Sequence, residues 1–339
     1  MTLSASYISS VTANACIVSD VLMTHDMNNH VVHQGPLAHV LGPGRSFRRK
    51  IFSPRPDIIF QYAGVFHKAA SVARTIYENM DSIVNDNEPD FFSRLLSRYY
   101  KPSDFQETSL SLTKLCTIDG RKAVWRESLN YDQDESSLIH IHSAGTGKFL
   151  LEGDLYADEL EEGAFEKEGP SDVIEKAVKL AMKIFLHNIH YPSELYSLHS
   201  GGWVELYEYR SSGFVPITFT INALRRIGRD RISLLRRISG VYIDGGLLLT
   251  SIDLNSLVNP RDFKPEFYIC PDLYNPQHGN SSRISARDIW MPKSDYCLNV
   301  MMDGDACHCK FGFEDILKDR VEGGFEIDAN TIGELMGFA

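Results

Sequence analysis

The sequence predicts a fold that mixes α-helices and β-strands, and three observations carry that prediction. Strand-type patterning opens the chain over residues 4–9 and 15–21. An apolar stretch at 58–63 passes through Gly64 into a helical period. A long amphipathic helix then follows Ser171-Asp172, which form a cap.

Taken in order, residues 4–9 alternate small, polar and apolar side chains, and 11–14 supply a turn before the second strand, giving a hairpin at the start of the chain. Residues 28–45 hold Gly35-Pro36 and Gly42-Pro43-Gly44 and predict an irregular loop. A strand at 50–53, a Pro54-to-Asp57 turn and a strand at 58–63 follow. Beyond Gly64, Ala69, Val72, Ala73, Ile76 and Met80 recur at helical spacing. A helix at 91–100 leads to strands at 109–117 and 123–129, then to a strand at 138–142 that runs into Gly145-Thr146-Gly147.

In the helix after Asp172, Val173, Ala177, Leu180, Ala181 and Ile184 line one face; a strand at 203–209 ends at Ser211-Ser212-Gly213. Past Asn222 the texture changes. The stretch 223–239 is rich in arginine and predicts a helix docking on acidic neighbours at 158–166; short strands and a hairpin around Asp303-Gly304 follow. These readings divide the chain at residue 222, into a domain 1–222 and a C-terminal extension 223–339.

Hydrophobic residues make up 43% and charged residues 23% of the 339, which excludes a disordered or collagenous chain and leaves room for a large domain with an extension. The formal charge of -11 argues against a general phosphate-binding surface, so no nucleic-acid partner is expected. Six cysteines lack disulfide-framework spacing, which points to a reducing, cytoplasmic compartment. The first twenty residues lack the basic and apolar regions of a secretory signal, and no apolar run suits a membrane helix. Cys270, Cys297, Cys307, His308 and Cys309 form a poor zinc pattern, and Gly145-Thr146-Gly147-Lys148 fails the phosphate-loop pattern at His142 and Phe149. No metal and no cofactor are expected. His140 and His142 share a strand face and read as a partly exposed pair.

The chemistry centres on Thr2. Once Met1 is removed, Thr2 presents a hydroxyl and a free α-amine together. Such an amine has a pKa near ~7.7–8.0 and serves as general base at neutral pH, activating the hydroxyl without a histidine.

Downstream, Ala15-Cys16-Ile17-Val18-Ser19-Asp20, Arg49-Lys50-Ile51-Phe52, Tyr62-Ala63-Gly64 before a helix, Gly145-Thr146-Gly147, and Ser200-Gly201-Gly202 before a strand follow in order. Together with Thr2 they resemble the catalytic half of proteasome β subunits and bacterial HslV, over about residues 2–219. The resemblance implies an α+β four-layer αββα sandwich of the N-terminal-nucleophile (Ntn) hydrolase type. It implies that Thr2 is nucleophile and base, that Lys50 stabilises the oxyanion, and that Asp20 holds Lys50. The Gly64 N–H would form the oxyanion hole, and Thr146 and Ser200 would stand near the Thr2 amine. Thr24 matches the backbone position that pairs with an extended substrate, and Phe66 a position lining the cleft.

Three departures stand out: Ser197 replaces an acidic residue, Phe66 replaces a small one, and the loop between Asp20 and Lys50 is long. Three readings therefore stay open: a threonine-type peptidase, an inactive scaffold or binding subunit, and a small-amide hydrolase. The family implies a homo-oligomer, a peptide or protein substrate, and an ATP-dependent unfoldase as feeding partner; no membrane partner is expected.

Overall fold

The computed structural model describes residues 3–24, 45–86, 88–118, 120–151, 172–190, 203–227, 231–243, 246–253, 266–275, 294–303, 306–312 and 326–328. The architecture is mixed α+β with mostly antiparallel sheets. The chain forms two compact units: one of residues 1–155, 170–216 and 270–279, the other of 156–169, 217–269 and 280–339.

In the first unit the elements run β1 (Ser4–Ser9), β2 (Ala15–Asp20), β3 (Leu22–Thr24), β4 (Arg45–Phe47), β5 (Ile51–Arg55) and β6 (Ile58–Gly64). Helices α1 (Phe66–Glu78), α2 (Met80–Asn85) and α3 (Phe91–Tyr99) follow, then β7 (Thr108–Ile118), β8 (Arg121–Leu129), β9 (Asp132–Asp134) and β10 (Ile139–Ala144). Helix α4 (Asp172–His190), β11 (Val204–Arg210) and β12 (Gly213–Ile217) complete this part.

The opening hairpin forms as its patterning predicts, with Ser4 opposite Ser19. Ser9 fastens the turn, its Oγ accepting from the Val11 and Thr12 N–H groups at 3.2 and 3.0 Å. This hairpin sits inside a six-stranded sheet of order β12-β11-β2-β1-β10-β9, while β5-β6-β7-β8 make a four-stranded antiparallel sheet.

Strand alternation decides which face of β6 meets which layer. Ile58, Phe60 and Tyr62 join a core with Ala69, Val72, Ala73 and Ile76 of α1 and Phe91, Phe92, Leu95 and Leu96 of α3. Gln61, on the opposite face, donates from Nε2 to the Ser4 Oγ of β1. The two sheets thus meet through polar side chains, with α1–α3 on the far side of one. Helix α4 packs on β1, β2 and β11 through a stripe that includes Val173, Ala177, Ala181 and Ile184. Each large apolar side chain so buried contributes about 1.5–3 kcal/mol.

The second unit is built on β13 (Phe219–Ile227), β14 (Arg231–Ile243), β15 (Gly246–Asp253), β16 (Glu266–Pro271), β17 (Tyr296–Asp303), β18 (Ala306–Gly312) and β19 (Glu326–Asp328). They form a sheet of order β16-β15-β14-β13-β17-β18, with β19 beside β14 and a parallel β13–β17 pair. The expected hairpin at Asp303 is present, pairing Asp303 with Ala306. The arginine-rich stretch is strand, not helix: β13 and β14 pair antiparallel, with a register shift between Ala223 and Leu224. Its β-branched Ile232, Ile238, Val241 and Ile243, with Gly240, favour an extended ladder over a helix. The acidic neighbours at 158–166 lie outside the described residues.

Candidate functional site

The site grows from the end of β2. There the Leu3 N–H donates to Asp20 Oδ1 at 2.9 Å and the Asp20 N–H donates to the Leu3 carbonyl at 3.1 Å. Ser19 Oγ donates to the same carbonyl at 3.0 Å. Asp20 is thereby locked against the first described residue of the chain, and residue 2 is joined covalently to that Leu3 nitrogen.

Lys50 reaches in from the residue before β5, and its Nζ lies 2.7 Å from Asp20 Oδ1. The side chains are 2% and 0% exposed, so this ion pair sits out of water. Burial pushes the Lys50 ammonium below its usual pKa, while the Asp20 charge and hydrogen bond and the Glu205 charge push back. Burying a pair is expensive, and losing one partner is worse, because an uncompensated charge remains.

Strand β6 ties into the same place, the Tyr62 N–H donating to the Lys50 carbonyl at 3.3 Å. Two residues on, Gly64 ends β6 at φ +110°, where a Cβ would run into the Glu107 carbonyl oxygen. Glycine is required there by backbone shape and close approach. Phe66 opens α1, half-buried against the helical core, with the Arg48 guanidinium carbon 4.8 Å from its ring centre.

Thr146 begins a short 3-10 turn (Thr146–Leu151) after β10. The β1–β10 ladder sets Ser4 opposite Ala144, so Thr146 follows the end of the sheet from which the chain starts. Thr24 lies in β3 opposite Arg45, with its side chain outside the described residues. Thr2, Ser197 and Ser200 also lie outside them. Trp203, which follows the Ser200-Gly201-Gly202 segment, accepts from the Val21 N–H at 3.0 Å through its carbonyl. Asp20 and Lys50 are therefore brought together, and β6 is bonded to Lys50 two residues before Gly64.

Sequence reasoning missed a second buried charged group beside the first. Glu205 of β11 is fully buried and accepts from Arg49 Nε at 2.6 Å, from the Lys50 N–H at 2.8 Å and from the Ile51 N–H at 3.4 Å. Arg49 also donates to Asp272 Oδ1 and the Tyr207 hydroxyl. Burial raises the Glu205 carboxyl, against the lowering effects of Arg49 and the two backbone donors. The signal was faint: Glu205 and Tyr207 alternate with apolar residues, as they would on a solvent-facing strand.

Between the sheets lies a polar layer that the sequence did not announce either. Ser4 Oγ is 2.8 Å from the Tyr131 hydroxyl, and the Arg126 guanidinium lies 4.6 Å from the Tyr131 ring while its Nε donates to Ser111 Oγ at 2.7 Å. Burial lowers Arg126 to about 9. His142, expected partly exposed, is 8% exposed and stands opposite Ser6 in the ladder. No described helix is long and apolar enough to cross a membrane. No protein-family model matches the chain, and no curated protein matches it in sequence.

Proposed function

We propose that this chain is a threonine-type Ntn hydrolase, with Thr2 as its nucleophile. The observation that carries the reading is the Leu3–Asp20–Lys50 chain of contacts, a buried ammonium held by a carboxylate that is itself bonded to the amide next to residue 2. The order of layers supports the four-layer αββα reading: helices outside each sheet, and polar side chains meeting between them.

With the residue before it removed, the Thr2 amine takes the proton of its own hydroxyl as the oxygen attacks an amide carbonyl. The tetrahedral oxyanion is met by the Lys50 charge and by the Gly64 N–H. Collapse breaks the C–N bond, the departing amine takes up the proton, and an ester to Thr2 remains. Water, deprotonated by the same amine, attacks the ester, releases the acid and restores the hydroxyl. Thr146 and Ser200 are proposed to orient the amine, and Thr24 to pair with an extended peptide. In line with this reading, the chain assembles with copies of itself in the cytoplasm, and an ATP-driven unfoldase feeds it protein substrates.

A small-amide substrate is the second reading, and it rests on Phe66 standing at the position that the resemblance gives to a small, cleft-lining residue. The inactive-scaffold reading rests mainly on Ser197, at the position where the resemblance expects an acidic residue. A panel of fluorogenic peptide amides and small acyl amides tests these together. Turnover that disappears in Thr2→Ala and survives in part in Thr2→Ser supports hydrolysis, and the preferred arm names the substrate class. Turnover unchanged in Thr2→Ala would remove Thr2 from the chemistry.

A further inference from the structure

Lys50 is held at two points by neighbouring strands of one sheet. Asp20 of β2 binds its ammonium and Glu205 of β11 binds its backbone N–H. The two strands are paired, with Val204 opposite Asp20 and Glu205 opposite Ser19, so the two carboxylates sit at fixed relative positions. The second oxygen contact of Glu205 is with Arg49, and Arg49 is fastened again by Asp272 and Tyr207. The Arg49 N–H also donates to the Pro271 carbonyl at 3.2 Å. The segment bearing Pro271 and Asp272 belongs to the first compact unit, although it lies some 220 residues along the chain from Lys50.

The lysine is thus held at its backbone as well as at its ammonium. A buried carboxylate that spends its acceptors on the Lys50 and Ile51 amides fixes where the lysine Cα stands, and so where its Nζ can reach. We propose that Glu205 and Arg49, braced by Asp272, are positioning residues that set the Lys50 ammonium for work on the reacting carbonyl. The inference rests on the hydrolase reading and deepens it. It also gives the region beyond β12 a part in the site: its segment at 270–275 closes the brace from behind.

The charged and titratable groups around Lys50 fix the expected sign. Among the described residues, Asp20 from β2 and Glu205 from β11 are the acidic neighbours, with Asp272 behind Arg49. Arg48 and Arg49 are the adjacent cations, and Tyr62, Tyr207 and Cys270 are held neutral by burial. The Glu205 charge favours the protonated ammonium, so its removal makes Lys50 lose its proton at lower pH.

The test uses the full chain labelled with 13Cε-lysine, with Lys50→Met to assign the signal. The Lys50 titration is followed by NMR, and the rate of Thr2 alkylation by a peptide epoxyketone is followed against pH. In Glu205→Gln the Lys50 midpoint falls, and the alkaline limb of the alkylation profile moves down with it. Asp272→Asn, at the more exposed end of the brace, moves both in the same direction by less, and serves if Glu205→Gln does not fold. Variants that lower the melting temperature while leaving the Lys50 midpoint and the alkylation profile at wild-type values would reduce the brace to a structural role and overturn the proposal. If the wild-type chain takes no adduct, the hydrolase reading fails by itself, and the lysine titration alone decides whether the brace acts on Lys50.

Discussion

Asp20 and Lys50 bury opposite charges at 2.7 Å, and their energetics are asymmetric. Converting Asp20 to Asn leaves a buried ammonium facing a neutral amide, and we expect a loss of about 3–5 kcal/mol in urea unfolding. Gly64→Ala forces an L side chain into a left-handed conformation against the Glu107 carbonyl, and should cost about 1–3 kcal/mol or more by the same measurement. Cys16 and Cys270 are buried, and burial raises both thiols well above their ordinary pKa. Peptide mapping after iodoacetamide should find both unlabelled in the native protein and labelled in urea; labelling in the native state would contradict their placement.

At the scale of elements, α2 and α3 are joined by charge as well as by apolar packing. Lys114 of β7 donates to the Ile83 carbonyl at 3.1 Å and to the carbonyl of Asp86, the residue whose N–H caps the end of α2 by donating to the Ser82 carbonyl. Arg94 of α3 pairs with Asp86, and the Arg94 hydrogen bond holds that carboxyl below its ordinary pKa of 3.8. A carboxyl depressed in the folded state contributes stability that is present above 3.8 and lost as pH falls through its folded value. The pair is partly exposed, so Asp86→Asn should cost no more than about 1 kcal/mol near neutrality, and the difference should vanish in strong acid. Much at this scale was legible in the sequence. The opening hairpin, the strand–Gly64–helix succession, α3 and α4 follow local periodicity, which side-chain spacing reports directly. Strand β5 runs through Pro54, where a turn was expected, because an irregularity in the β5–β6 register accommodates the proline. The arginine-rich β14 misleads because charge density reads as a solvated helix, whereas Arg237 is 3% exposed in a ladder. The Asp20–Lys50 pair followed from motif order; Glu205 and Asp272 did not, since only the fold brings residues so distant in sequence against Arg49.

At the scale of the whole molecule, the segment after β16 is part of the first unit's interior. Leu273 joins the core of α1 and α3, and Tyr274 makes ring contacts with Phe52 and Tyr77. Leu273→Ala should therefore destabilise the first unit by about 2–5 kcal/mol, measured by thermal or urea unfolding; an unchanged midpoint would detach this segment from the core. The chemistry assigned to Thr2 is tested by intact mass, before and after exposure to an epoxyketone that needs both an amine and a hydroxyl on one residue. The expected result is a chain beginning at Thr2 that gains one adduct, with none in Thr2→Ala. A chain that retains Met1 and gains no adduct, or an adduct that persists in Thr2→Ala, would contradict it.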